Sequence, residues 1–360
     1  MAFQIATGFF ERYEKHISSF ALVAGFVIDS FTLQRIDLLF ENIVLLSYIV
    51  IAGTCILFLS LWKEEWLQRP VLGKVHALLL IAMQFAFGGL FSAFLIFYSR
   101  SSSLIASAPF LLLLFFILIG NELFKKQYIR LTVQISIFFL VLYSYLIFTI
   151  PVLLGQMSWW IFLLSGAISL VLIRVFILLL RLVNPAKMIM AGNMFLPIII
   201  IFVLINGLYF LNIIPPIPLS LKDSGVYHSL TRTQDGSYVV EEETKTFRDY
   251  FRMYEQVSLR AGDSLFAFTS IFAPTNFETD IYHVWEQYNR KSEEWEETNR
   301  IRLPIVGGRD GGYRTFSVKQ NPGMGLWRVS AVTARGQVIG RINISVERVS
   351  ELPSLEVITK

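Results

Sequence analysis

The chain has 360 residues, 54% of them hydrophobic and only 16% charged, where soluble domains carry about 25% charged residues. The deficit is concentrated: no Asp, Glu, Lys or Arg occurs between Arg130 and Arg174 or between Lys187 and Lys222. Uncharged apolar runs of that length exclude a wholly soluble protein and point to an integral membrane protein. The net charge of +4 arises in the first half of the chain and reads as topogenic charge beside a bilayer. Nucleic-acid binding would need a basic patch interleaved with aromatics on the soluble part, and the sequence has none.

Seven spans are expected, in order His16–Leu33, Asn42–Trp62, Val75–Ser99, Leu104–Asn121, Leu131–Leu154, Trp159–Leu180 and Met194–Ile214. The first is read as an uncleaved span, because no small-residue cleavage site follows it. Pro151, Gly155 and Gln156 divide the long uncharged stretch between the fifth and sixth spans, since a single helix there would overshoot a ~30 Å hydrocarbon core. Arg12, Lys15, Lys63, Arg69, Lys74, Lys125, Lys126, Arg130, Arg181 and Lys187 then fall on the side of the N-terminus. Only Arg35 and Arg100 fall in loops on the other side. The positive-inside rule puts the N-terminus in the cytoplasm. An odd span count puts the C-terminal part outside it, in the periplasm if the cell has a second membrane and at the cell exterior otherwise, as expected of a multi-pass protein of the inner (cytoplasmic) membrane.

Within the spans, Asp29 reads either as a ligand for an ion or substrate or as an interfacial carboxylate reaching headgroup water. Arg174 lies about two turns from the inner end of the sixth span, where it can snorkel inward, pair with a carboxylate or line a path. Gln84, Asn206 and Tyr209 are neutral candidates for interhelical hydrogen bonds, and Gly88, Gly89 and Ser92 mark a close helix contact. The lone cysteine, Cys55, excludes an intrachain disulfide and a cysteine-based metal site.

The membrane half stops in IPPIPLS, and soluble sequence follows. SGVYHSLTR and GSYVVEEE read as strands joined by a turn at Asp235–Gly236. TKTFRDYFRMYEQV spaces its aromatics for one helix face, with a strand as the alternative. From Gly262 the pattern is β: SLFAFTSIFA, TDIYHVWEQYN, WEETNRIRLPIV, YRTFSVKQ, LWRVSAVTA and QVIGRINISVE, with turns every 8–12 residues, as in a β-sandwich. The last two have the form of the closing hairpin of an immunoglobulin-like domain. The expected division is a transmembrane domain over 1–221, connecting strands and a helix over 222–261, a sandwich over 262–350 and a tail over 351–360.

No GxSxG, HExxH or dinucleotide fingerprint is present, and no histidine lies at metal-ligand spacing from another ligand. No catalytic residue, metal or cofactor is therefore assigned. His283 is either a site residue beside Trp285 and Glu286 or a strand residue on a half-exposed face. GGRDGGYR lacks the Lys-Ser/Thr ending of a phosphate loop and reads as a hairpin turn, where Arg309, Asp310 and Arg314 can still form a small polar site. SEEWEE reads as a solvated turn. Tyr282, Trp285, Trp295, Tyr313 and Trp327 are either a sugar-binding platform or sandwich core.

GDSLFAFTSIFAP, IYHVWEQY, VGGRDGGYR and LWRVSAVTARGQVIGRI together resemble the bacterial membrane proteins that carry the domain of unknown function 2914. AGFVIDSFTLQRID, FGGLFSAFLIFYSRS and NIIPPIPLSLKDSGVYHS are similar to that family's membrane half. The resemblance implies a multi-span protein with a C-terminal β domain, and no activity. The expectation is a helical bundle of about seven spans followed by an immunoglobulin-like sandwich. The sandwich binds an envelope protein or glycan; the alternatives are a transporter or lipid-linked-substrate handler with the sandwich as lid, and an envelope hydrolase or transferase.

Overall fold

The computed structural model describes residues 26–33, 38–62, 69–100, 104–123, 130–190, 192–216, 218–246, 252–275, 277–309 and 311–360. These residues form two compact units, Met1–Ser99 with Ala108–Ile214 and Arg100–Ser107 with Pro215–Lys360. The first is helical and the second β-rich.

The helices are α1 (described over 26–32), α2 (Leu39–Leu61), α3 (Pro70–Arg100), α4 (Leu104–Leu123), α5 (Leu131–Leu154), α6 (Trp159–Val183), α7 (Pro185–Met190) and α8 (Phe195–Phe210). Among the described residues, four helices are long and apolar enough to cross a membrane: α2, α3, α5 and α6. These carry the second, third, fifth and sixth expected spans. The apolar part of α4, Ala108–Gly120, and α8 are shorter, and most of the first expected span lies outside the described residues. At 1.5 Å per residue α8 rises roughly 24 Å, less than a ~30 Å core. It ends where the Ile213 N–H bonds the Leu208 carbonyl at 2.9 Å and Asn212 takes a φ of 57°. Pro215 and Pro216 then bar continuation of the helix.

The break between α5 and α6 has a local cause. Gly155 adopts a φ of 64° and its N–H bonds the last carbonyls of α5, the left-handed cap that glycine makes without a Cβ penalty. The turn between α6 and α7 also serves α2. Asn184 Nδ2 donates to the Ser60 carbonyl at 2.8 Å and Lys187 Nζ to the Leu59 carbonyl at 2.7 Å. A cation thus meets the negative end of α2, and the two side chains add bonds to carbonyls of its last turn. Small residues allow close packing: Gly89 faces the Tyr48 ring, and Gly166 faces Tyr143 and Phe202. Phe162 and Tyr209 stack at 3.6 Å between ring centroids.

Among the described residues the β-rich unit has eleven strands: β1 (Ser220–Tyr227), β2 (Ser229–Arg232), β3 (Tyr238–Glu243), β4 (Glu255–Leu259), β5 (Ser264–Phe272), β6 (Glu278–Asn289), β7 (Glu294–Val306), β8 (Tyr313–Gln320), β9 (Gly325–Thr333), β10 (Val338–Arg348) and β11 (Leu355–Thr359). They form sheets of order β1-β5-β8, β4-β10-β9-β6-β7 and β11-β3-β2. Period-two alternation builds the layers. Val226, Leu265 and Ala267 on one face of β1-β5-β8 share a core with Trp285, Trp327, Val329, Ile342 and Ile344 of the five-stranded sheet. Tyr227 and Phe268, of opposite parity, pack with Leu230, Tyr238 and Val240 of the small sheet. The three-stranded sheet β1-β5-β8 is therefore the middle layer, apolar on both faces.

Two segments differ from expectation. The described residues of 222–261 contribute strands to the layers: β1 pairs antiparallel with β5, and β4 pairs parallel with β10. The residues expected as a tail include β11, paired antiparallel with β3. The buried Val240 and the half-buried Ile358 are directly opposite in that pairing, a cross-strand apolar contact that offsets part of the cost of ordering the segment. Of the four aromatics on which the helix reading of TKTFRDYFRMYEQV rests, Phe247, Tyr250 and Phe251 lie outside the described residues and Tyr254 lies in the bend before β4; the segment's last three residues open strand β4 (Glu255–Leu259). SEEWEE divides, with Glu293 in the turn and Glu294 opening β7.

Candidate functional site

His283 and Trp285 occupy the core-facing parity of β6 and are both fully buried. The half-exposed position expected for His283, and a surface role for either residue, therefore do not hold. The alternation in IYHVWEQY was legible, but the covering sheet that buries this face comes from distant sequence. His283 bonds that sheet on both sides. Its Nε2 lies 2.8 Å from Thr269 Oγ1, and its Nδ1 lies 2.8 Å from Ser317 Oγ. Trp285 Nε1 donates to Ser317 Oγ at 3.0 Å, and Thr269 and Thr315 hydroxyls are 3.2 Å apart. With the proton on Nε2 the chain runs one way: Trp285 to Ser317, Ser317 to His283, His283 to Thr269, Thr269 to Thr315. Burial pushes the His283 pKa down to about 4. A neutral, internally satisfied imidazole here ties the two sheets together, and solvent does not reach it.

The opposite parity of the five-stranded sheet faces away from this core. Glu286 and Arg328 are cross-strand partners and form a bidentate pair, both bonds at 2.6 Å. The Arg328 guanidinium also lies 4.5 Å from the Trp295 ring centroid, an arrangement Arg favours over Lys. Tyr288 packs beside Trp295. Arg300 pairs with Glu297 at 2.8 Å and lies 6.0 Å from the Tyr282 ring, and Arg302 pairs with Asp280 at 2.7 Å. This polar and aromatic face is the candidate binding surface. Of the aromatic residues singled out in the sequence it takes Tyr282 and Trp295, whereas Trp285 and Trp327 are core. Arg328 and Arg341 were missed; the signal available was their shared parity in LWRVSAV and GRINI.

The GGRDGGYR loop is shaped by backbone packing. The Gly307 N–H bonds the Phe277 carbonyl at 2.7 Å, and the Gly308 N–H bonds the Ala273 carbonyl at 3.1 Å. A Cβ on Gly307 would stand 1.8 Å from the Pro274 carbonyl oxygen. Arg309 is exposed, with its guanidinium 5.0 Å from the Tyr313 ring centroid. Arg314 is half-buried on β8, opposite Ser270. Asp310 lies outside the described residues. Among the described residues no group of three His, Cys, Asp or Glu is placed to hold a metal ion.

In the helical unit, Ser92 of α3 donates to Asp29 Oδ2 at 2.6 Å, and Asn206 Nδ2 of α8 donates to Tyr143 Oη of α5 at 3.1 Å. Both are bonds between helices, of the type that averages ~0.6 kcal/mol in membranes. Gln84 is half-buried on α3. Arg174 is exposed on α6 and has no ion-pair partner among the described residues, which fits snorkelling and separates it from Asp29. Replacing Ser92 by Ala is accordingly expected to lower stability by less than about 1 kcal/mol, read as a small shift in the thermal midpoint of the purified protein in detergent.

No curated protein matches the chain. Among solved structures, the beta-glucosidase of Listeria innocua is similar at 12% identity and a TM-score of 0.19, covering 31% of this chain and 16% of the enzyme. Its complex with isofagomine is similar at 9% identity and the same score, covering 37% of this chain and 18% of that one. The match spans less than a fifth of the enzyme, and at that score it says nothing about fold or activity. Residues 278–346, from the start of β6 to the core end of β10, match the family described as "Protein of unknown function (DUF2914)".

Proposed function

We propose that the chain is an integral protein of the bacterial inner membrane, with about seven spans and a cytoplasmic N-terminus, whose extracytoplasmic immunoglobulin-like sandwich binds an envelope protein or glycan without catalysing a reaction. The observation that carries this reading is the outward face of the five-stranded sheet. There Arg328 is held between Glu286 and Trp295, Tyr288 packs beside Trp295, and the Tyr282 ring lies against Arg300. Ordered guanidinium and aromatic groups on a rigid sheet lose little entropy when a partner docks. The apolar helices and the one-sided distribution of basic loops support the membrane topology.

The test has two parts. A reporter active only outside the cytoplasm, fused after Lys360, is expected to be active, and a cytoplasmic reporter fused after Lys126 is expected to be active as well. The full-length protein in nanodiscs is expected to retain an envelope protein or glycan, and Arg328→Ala is expected to weaken retention about tenfold or more. A cytoplasmic C-terminus, or retention indifferent to Arg328, would end this reading.

The bond between Asp29 and Ser92 supports a second reading, in which the helical unit handles an ion or a lipid-linked substrate and the β-rich unit is accessory. Unchanged growth and lipid profile in an Asp29→Asn strain would remove it.

A further inference from the structure

The outward face of the five-stranded sheet carries four arginines, and three are matched to carboxylates: Arg300 to Glu297, Arg302 to Asp280 and Arg328 to Glu286. The fourth, Arg341, is not. Its one hydrogen bond among the described residues is from Nε to the Ser330 hydroxyl, at 3.0 Å. Arg341 is half-buried, and burial together with the neighbouring Arg328 holds its guanidinium below the usual range. Glu286, already paired with Arg328, acts on Arg341 through space, and a partly desolvated guanidinium with no carboxylate of its own is costly unless something supplies the anion.

Arg341 also lines a cleft of about 620 Å³ bordered by β1, β3, β4 and β10, within the ~300–1,000 Å³ usual for small-molecule sites. The other charged groups there are largely matched. His228 lies 3.2 Å from Glu243, Lys245 lies 2.7 Å from Glu255, and Arg252 donates to the Gln256 side-chain carbonyl. Neutral hydrogen-bonding side chains complete the lining, among them Ser224, Thr244, Gln256 and Asn343. Arg341, a lining guanidinium held by one hydroxyl, together with the neutral donors and acceptors beside it suits a ligand with one negative charge and several hydroxyls. Glu243 and Glu255 at the same cleft disfavour a dianion such as a phosphate monoester.

We propose that this cleft binds an acidic saccharide, with the sugar carboxylate on Arg341 and its hydroxyls on Asn343 and the neighbouring hydroxyl and amide side chains. The proposal rests on the reading that the β-rich unit recognises a glycan, and it names the ligand class. A carboxylate can take two parallel N–H bonds from one guanidinium, a geometry an ammonium does not offer.

The experiment is a titration of the full-length protein in detergent with sodium glucuronate, glucose and inorganic phosphate, followed by ligand-observed NMR. Glucuronate is expected to bind saturably and glucose at least about tenfold more weakly. Arg341→Gln is expected to lower glucuronate affinity about tenfold or more. Arg341→Lys, which keeps the charge and the aliphatic stem, is expected to lower it severalfold, and it carries the test if the Gln variant melts early. Glucose binding as tightly as glucuronate, phosphate displacing glucuronate at equal concentration, no saturable glucuronate signal, or Arg341 variants without effect would each overturn the proposal. Retention of a neutral glycan or a protein that is insensitive to Arg341 would overturn this site and leave the broader partner-binding reading standing. Loss of all retention in nanodiscs would end both.

Discussion

Acidification from pH 7 to pH 4 is expected to remove about 3 kcal/mol of stability from the β-rich unit through His283 alone. The imidazole is fully buried and its pKa is pushed down to about 4, against about 6.5 in an unfolded chain. Between those values the unfolded state binds a proton that the folded state does not, so stability falls as pH falls. The contribution is complete above about pH 6.5, declines through the interval and is exhausted below about pH 4. The hydrogen-bond chain supplies a second reason for the depression. A protonated His283 would donate from both ring nitrogens. Ser317 already accepts from Trp285, and its own proton would then lose its acceptor on Nδ1. The measurement is the urea midpoint of the protein in detergent, followed by the fluorescence of Trp285 and Trp327 in the β-rich core, from pH 7.5 to 4. His283→Gln keeps one donor and one acceptor and is expected to flatten the response across this window, at a cost of about 1–2 kcal/mol at neutral pH. An equal slope in the variant would mean that another group carries the acid sensitivity.

Gly307→Ala is expected to destabilise the same unit by about 3 kcal/mol or more. The added Cβ would meet the Pro274 carbonyl oxygen at 1.8 Å and the Ala273 carbonyl oxygen at 2.9 Å. Both obstacles are backbone, so no side chain can rotate out of the way. Moving that backbone would also break the bonds from Gly307 and Gly308 to Phe277 and Ala273, which join the β5–β6 connection to the β7–β8 loop. Gly311→Ala, in the same loop, is the control. Nothing lies within 4 Å of its Cβ position, and its midpoint is expected to stay within about 0.5 kcal/mol of the parent. Equal effects at the two positions would show that the loop tolerates the shift.

The glycines of GGRDGGYR illustrate how far local sequence reaches. A turn was legible there, because paired glycines between strand patterns have few other uses. Which glycine is indispensable was not legible, since that depends on a carbonyl at Pro274, more than thirty positions earlier in the chain.

The sequence by itself determined the division into an apolar helical part and a β-rich part, the break at Gly155, the stop after α8 and the β9–β10 hairpin. Each follows from local rules: runs without charge, left-handed glycine caps, proline and alternation of period two. The tertiary structure alone decided what alternation conceals. Period two divides residues between two faces but does not say what covers either face. His283 therefore read as half-exposed until β5 and β8 were seen to roof it, and residues 355–359 read as a tail until β3 was seen to pair with them. The match of Glu286 to Arg328, and the lack of a carboxylate for Arg341, follow from strand register across separated segments. Register is a property of pairing and is carried by no single segment.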